Sequence, residues 1–298
     1  MSTTSAVAPT KAYQGTEKLL WGIVLAVVTF WLFAGTAGTV APEIMNQVNS
    51  GGMNYLDAAS MNLAVSITGL FSGLFIVFLG GLADKVGRVK ITLLGIILNT
   101  VGSLMLVFAS GAVALPLLLT GRAIQGLAAA CIMPASMALV KTYWDGKGRQ
   151  RAVSMWSVGS WGGSGLAALF GGAMIRFTPV GWKAIFIASI VISVIAFIMI
   201  LGTPESKVEG QKKKFDVLGL ILFVIGTLGL MIVLLYGAKL GWLSPIVLGL
   251  AAVAVVAYAI FVMSARRTHR SSTSSCSRTP RSPARRSRTS CSTAPSAC

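Results

Sequence analysis

The sequence is poor in charge, and above all in acid. Only 11% of its 298 residues are charged, and eight are Asp or Glu. A soluble globular chain carries about 25% charged residues, so this composition does not build a water-exposed surface. Histidine is nearly missing: the one residue, His269, stands outside the apolar body, which excludes a histidine cluster. Paired carboxylates and a nucleophile beside a base are missing too, so no enzyme constellation is legible. The four cysteines show neither a disulfide framework nor metal-ligand spacing. Cys131 lies in the apolar body, and Cys276, Cys291 and Cys298 lie near the C-terminus. No segment alternates like a barrel strand, which excludes a membrane barrel.

What is present is apolar length. Hydrophobic residues make up 55% of the chain and the mean hydropathy is +0.79. Runs of about 18 or more apolar residues recur, the pattern of membrane-spanning helices. Eight spans are expected, near 19–42, 58–81, 91–109, 113–140, 152–175, 182–202, 217–236 and 243–263. Connections are short apart from a polar stretch at 43–57. The fold class is therefore an all-α membrane protein, because lipid offers no partner for free backbone amides. The segment 1–18 is polar. The run after it is too long for a signal-peptide core and reads as a retained first span.

Loop charge sets the expected orientation. With the N-terminus inside, the inner segments carry Lys11, Lys18, Lys85, Arg88, Lys90, Lys141, Lys147, Arg149, Arg151, Lys207, Lys212, Lys213 and Lys214. The outer loops carry Arg176, Lys183 and Lys239. Thirteen against three places the N-terminus in the cytoplasm. Trp21 and Trp144 then fall at the inner interface and Trp182 and Trp242 at the outer one, as an anchoring belt. The net charge of +17 is no nucleic-acid signal: eight of the 25 basic residues follow Ser264, in a stretch without acid or aromatics to stack on bases.

Three segments carry polar chemistry that the membrane must tolerate. Arg122 is the one basic residue well inside a span, with Gln125 and Gly126 at i+3 and i+4 on the same helical face. Its burial costs about 2.5–3.5 kcal/mol on insertion scales, so it needs a partner, water or a cavity. A face turned to the bundle interior is expected; an arginine snorkelling to the outer interface is the alternative. The second segment is Gly80-Gly81-Leu82-Ala83-Asp84-Lys85-Val86-Gly87-Arg88, a tight turn between two spans. Gly87 permits an unusual backbone, and Asp84 can pair with Arg88 or with a helix N-terminus. The third is a stripe of small residues in span five: Gly159, Gly163, Ala167 and Gly171, with Gly162, Gly165 and Gly172 beside it. It reads as tight packing or as a place to bend. Gly69 and Gly73 give a shorter version in span two.

Together these segments resemble the major facilitator superfamily. The turn is similar to its signature Gly-x-Leu-Ala-Asp-Arg-x-Gly-Arg, with Lys85 for the first arginine. Arg122-x-x-Gln125-Gly126 resembles its fourth-helix motif, and the span-five stripe ending in Gly171-Gly172 resembles its antiporter motif. Thr29 to Ala34, Ala130 to Ala135 and Ser160 to Gly165 are similar to the fourteen-helix drug:proton antiporters, in particular the bacterial Nor-type quinolone efflux group.

The resemblance implies a cytoplasmic segment 1–18, a six-helix half at 19–204, a basic linker at 205–216 and two extra helices at 217–263. It implies proton-coupled efflux of amphipathic drugs from the inner membrane of a bacterium. The lipid bilayer, drug-like substrates and protons are the partners, with no cofactor beyond the proton gradient and no nucleic acid. Arg122, Gln125 and Gly126 are assigned to the substrate and proton pathway. Gly80, Asp84, Lys85, Gly87 and Arg88 are assigned to an inner gate, and Gly159, Gly163, Gly171 and Gly172 to a flexible stripe. Two departures stand out. Ala167-Ala168 replace the motif's Gly-Pro pair, and Phe30 to Ala41 hold no acid, so the proton carrier is left open: Asp84 is expected at the inner surface, Glu43 and Asp57 near the outer one, and an acid in a missing half is the further alternative.

Residues 264–298 are almost wholly Ser, Thr, Arg, Pro, Ala and Cys. A disordered or lipid-binding tail is the ordinary reading. An out-of-frame stretch is favoured, since shifted codons from Arg270 can read as an apolar, family-like segment. On that reading the chain is an inactive truncated form, completed only by its second half or a second copy. A non-transporting membrane scaffold or dominant-negative fragment is the alternative.

Overall fold

The computed structural model describes residues 13–50, 52, 54–207 and 217–274. Lys11, Lys212, Lys213, Lys214 and the three C-terminal cysteines lie outside the described residues. Among the described residues every regular element is helical. In chain order these are α1 (Glu17–Thr39), α2 (Ala41–Val48), α3 (Ala58–Val86), α4 (Arg88–Val107) and, after a 3₁₀ turn, α5 (Ala114–Tyr143). Then come α6 (Gly146–Ser157), a π-turn (Val158–Gly162), α7 (Gly163–Phe177), α8 (Lys183–Ile200), α9 (Val217–Leu240) and α10 (Pro245–Ser274).

Local chemistry starts and stops these helices. Thr16 caps α1 by accepting from the Leu19 amide at 3.2 Å, with Glu17 in the first turn to meet the helix dipole. Asp57 caps α3 in the same way, accepting from the Ser60 amide at 2.9 Å. Gly87 ends α3 and begins α4 at φ +135°, a backbone that L side chains resist.

By length and composition α1, α3, α4, α5, α8 and α10 are each able to cross a membrane. Two of the eight expected spans fall outside that set. The fifth is continuous from Gly146 to Phe177 but is divided by the π-turn, and its first part carries Lys147, Arg149 and Arg151. In α9 the described apolar helix is the shorter Ile221–Leu234.

Some boundaries also differ. Span one ends at Thr39 rather than 42, and the polar stretch after it holds α2, whose start Pro42 favours. The last helix runs to Ser274, so the part of the expected disordered tail from 264 to 274 is helical. Serine and arginine runs can continue a helix already nucleated by an apolar span.

The first six spans form one bundle. Around it α3 packs on α5, α5 on α4, α4 on α8, α8 on α1, and α1 on the α6–π–α7 helix. The α9–α10 pair packs chiefly on itself and touches the bundle through α3. One core cluster joins Phe33, Ile44, Leu118, Trp182 and Phe186, and a second joins Leu19, Ile23, Ile132, Leu139 and Ile200. Outward-facing positions such as Val77, Leu169, Val191 and Val255 are apolar and exposed, the surface a lipid solvent favours.

Trp182 departs from the anchoring belt. It is 1% exposed and meets Phe186 edge-on at 5.9 Å, so it belongs to the core. Of the three remaining belt candidates, Trp21 and Trp242 are exposed and Trp144 is half-buried.

Candidate functional site

Arg122 lies two turns into α5 and is only 3% exposed. It does not snorkel. Its guanidinium donates in three directions: to Gln125 Oε1 at 3.0 Å, to the Ala64 carbonyl of α3 at 3.4 Å and to the Ala34 carbonyl of α1 at 3.4 Å. Thr68 Oγ1 in turn donates to the Arg122 carbonyl at 3.0 Å. Among the described residues no carboxylate forms an ion pair with it. The charge is thus solvated by oxygen dipoles and not neutralised, a costly arrangement in hydrocarbon that marks functional sites. Gly126 lets α5 approach: a Cβ there would meet the Thr68 carbonyl at 2.5 Å and Phe71 Cβ at 2.7 Å.

Gln125 extends the network into α4 and α8. Its amide donates to Ser103 Oγ at 3.0 Å, and Ser103 Oγ donates to Ser189 Oγ at 3.2 Å. Asn99 donates to Ser189 Oγ at 3.2 Å and to Ser193 Oγ at 2.9 Å. Arg122, Gln125, Ser103, Ser189, Asn99 and Ser193 are all buried. One hydrogen-bonded chain therefore crosses the bundle from α1 and α3 to α8. Backbone contact makes room for it, since a Cβ on Gly102 would meet the Gly121 carbonyl at 2.8 Å.

The turn residues gather at the end of the bundle that also holds the start of α1. Arg88 donates through Nε to Asp84 Oδ1 at 2.8 Å, and its Nη2 lies 2.8 Å from the same oxygen. Its Nη1 donates to Thr142 Oγ1 on α5. Gly80 rests on Pro134 of α5, where a Cβ would meet the proline Cβ at 3.1 Å. Lys85 is exposed on the last turn of α3.

Glu205 completes this turn. Its carboxylate accepts from the amides of Val89 at 2.9 Å, Lys90 at 3.1 Å and Ser206 at 3.0 Å. It is an N-cap for α4 supplied by the chain after α8. The Arg88 amide donates to the Ser206 carbonyl at 3.1 Å, and Tyr143 Oη donates to the Pro204 carbonyl. A side chain at Gly87 would strike the Glu205 carboxylate. The glycine is thus required twice, by its φ and by its neighbour.

In the fifth span, Gly159, Gly163, Ala167 and Gly171 face α1. A Cβ on Gly171 would meet Thr36 Cγ2 at 2.6 Å and Val40 Cγ1 at 2.9 Å, and Thr36 Oγ1 donates to the Ala167 carbonyl at 3.1 Å. Gly172 is not part of this contact: no atom lies within 4 Å of its added Cβ, and the same holds for Gly165. Gly162 meets only Val158 of its own turn. Each residue turns about 100° round the helix, so a neighbour in sequence points to another face. Gly69 and Gly73 face open space too. In α3 the face that meets α5 runs instead through Thr68, Phe71 and Ser72. The span holds no proline, and its irregularity is the π-turn.

Sequence reasoning missed Glu205 and the Asn99, Ser103, Ser189 and Ser193 set. A signal was present for the second group. Asn99 and Ser103, and Ser189 and Ser193, are polar pairs four residues apart inside apolar spans, and such residues hydrogen-bond across helices. Nothing local marks Glu205 as a cap of α4, since Val89 and Lys90 are more than a hundred residues away.

An all-α, multi-pass membrane protein with a cation buried at its centre is the class that this fold and network define. The model of the Major Facilitator Superfamily matches residues 22–265, and the chain belongs to that superfamily. It is 49% identical over 255 residues to the quinolone resistance protein NorB of Staphylococcus aureus strain MRSA252, covering 85% of this chain and 52% of the relative. NorB of strain Newman matches to the same extent. The chain spans about half the length of the curated relatives it matches. In fold it is similar to a crystal structure of a peptide transporter with sulfate, at TM-score 0.55 and 18% identity, over 78% of this chain and 55% of that one. It is similar also to a D-xylose–proton symporter, at TM-score 0.51 and 14% identity, over 82% and 66%.

Proposed function

We propose that this chain carries the N-terminal bundle and two extra helices of a proton-driven exporter of amphipathic drug-like molecules. It is not an enzyme on this reading and uses no cofactor. The energy source is the proton gradient. The observation that carries the proposal is the buried, unneutralised Arg122, held by carbonyl oxygens from α1, α3 and Gln125. Such a charge prepares a path for polar or ionisable cargo through an apolar bundle. The likeness to a quinolone resistance protein supports the drug class.

Substrate would bind near the membrane midplane, where two bundles meet and rock about it. Asp84, Gly87 and Arg88 would hold one rocked state, with Glu205 fixing the turn that presents them. The N-terminus would face the cytoplasm of a bacterium. Lys18, Lys85, Arg88, Lys90, Lys141, Lys147, Arg149, Arg151 and Lys207 share that end of the bundle, against Arg176 and Lys183 at the other.

The test joins residues 13–263 to the second half of the S. aureus relative and measures ethidium export in everted membrane vesicles. Export that a protonophore abolishes is the expected result. A chimera that inserts but does not pump, beside a relative that does, would defeat the proposal.

A further inference from the structure

Two tryptophans meet in the middle of the bundle. Trp31 of α1 and Trp161 of the π-turn have ring centroids 6.1 Å apart and planes 20° from parallel. Phe30 meets Trp31 edge-on at 5.3 Å. Neither tryptophan is at a helix end. At 1.5 Å per residue, Trp31 lies about 21 Å from the start of α1, and Trp161 about 22 Å from Gly146. Those depths fall inside a hydrocarbon core of about 30 Å, so an interfacial belt does not explain them.

Three further observations say what the pair is for. Trp161 is 72% exposed, so the core of the bundle makes little use of it. The Trp31 indole N–H is covered and meets no acceptor. A buried tryptophan ordinarily finds a partner for that group, so Trp31 is placed for its ring and not for its donor. The π-turn supplies the third. An extra residue in the turn re-aims the side chains that follow, and π-turns recur at functional sites. Ser164 Oγ holds the turn by donating to the Trp161 carbonyl at 3.0 Å.

Trp31 is also linked through its own helix to the shell of the buried cation. Ala34, whose carbonyl accepts from Arg122, follows Trp31 by one turn, about 4.5 Å along the helix. A flat ring inserted between the two indoles would need about 7 Å. The 6.1 Å separation is too small for that. The stack is therefore one platform with a free outer face on Trp161.

We propose that the Trp31–Trp161 stack binds the flat aromatic ring system of an amphipathic substrate. The inference rests on the export reading and deepens it. It makes Trp161 a specificity-determining residue, which selects aromatic over aliphatic cargo by ring stacking and cation–π attraction.

The experiment uses the full 298-residue chain in lipid nanodiscs and two probes. One is ethidium, a flat aromatic cation; the other is tetrapentylammonium, an aliphatic cation. Trp161→Leu is expected to weaken ethidium binding about tenfold and tetrapentylammonium binding less than about threefold, while Trp161→Phe stays near wild type. Because Trp161 is exposed, these variants leave the packed core intact. Equal weakening of both probes by Trp161→Leu would mean a merely greasy surface and overturn the proposal. Unchanged ethidium binding, or no binding of ethidium by the wild type, overturns it as well. The export reading is judged apart, by the vesicle assay with Trp161 left in place, so the two can fail separately.

Discussion

Arg122 and Arg88 are both held firmly, and by opposite means. Arg88 stands at the end of the bundle, shares one oxygen of Asp84 through two nitrogens, and has Glu205 on the adjacent amides. Arg122 stands in the apolar middle and is given only neutral oxygen dipoles. At the end of the bundle water lowers the penalty of bringing charges together, so a salt bridge there ties two helices at small cost. In the middle a carboxylate would add a second ion to desolvate. Carbonyls solvate Arg122 without cancelling it. The first arrangement is a tie, and the second keeps a positive centre.

That contrast can be broken in four ways. The largest effect is expected in the middle. Arg122→Ala in the chimeric exporter should bring ethidium transport to the background of empty vesicles, with the protein still in the membrane. Arg122→Lys should do the same, because a point charge cannot reach three acceptors in the guanidinium's fork. Full export by the lysine variant would reduce Arg122 to a mere charge.

Gly87→Ala should come next. It forces a side chain onto φ +135° and against Glu205, and should lower the stability of the detergent-solubilised chain by about 2 kcal/mol in thermal unfolding. Glu205→Gln is expected to cost about 1 kcal/mol, because the cap loses its charge and one of its two acceptor oxygens. Its readout is faster amide exchange at Val89 and Lys90; unchanged exchange would remove Glu205 from the turn. The smallest effect belongs to Glu17, paired with Arg151 at 2.6 Å on the exposed surface. Glu17→Gln should change stability by about 0.5 kcal/mol or less.

Much of this was legible in one dimension. Apolar run lengths gave the helices because the bilayer has one thickness, and loop charge gave a preferred orientation. The turn at Gly80 to Arg88 was legible because its partners, Asp84 and Arg88, are four residues apart in sequence, one on each side of Gly87. The Glu205 cap was not, since a carboxylate after α8 meets α4 only when the bundle closes. The small-residue stripe was half legible. Spacing picked out Gly159, Gly163 and Gly171, but it could not say that Gly172 turns away. Trp182 read as an interface anchor because sequence gives depth and not facing.

The sequence by itself determined that lipid is this chain's solvent, that its elements are helices, and which spans carry polar groups. Those follow from composition and period, which are local quantities. Tertiary structure alone decided which oxygens surround Arg122, that Asn99, Ser103, Ser189 and Ser193 join it in one network, and that Trp31 meets Trp161. Each of those is a distance between helices, set by how closely side chains and glycines let the backbones pack.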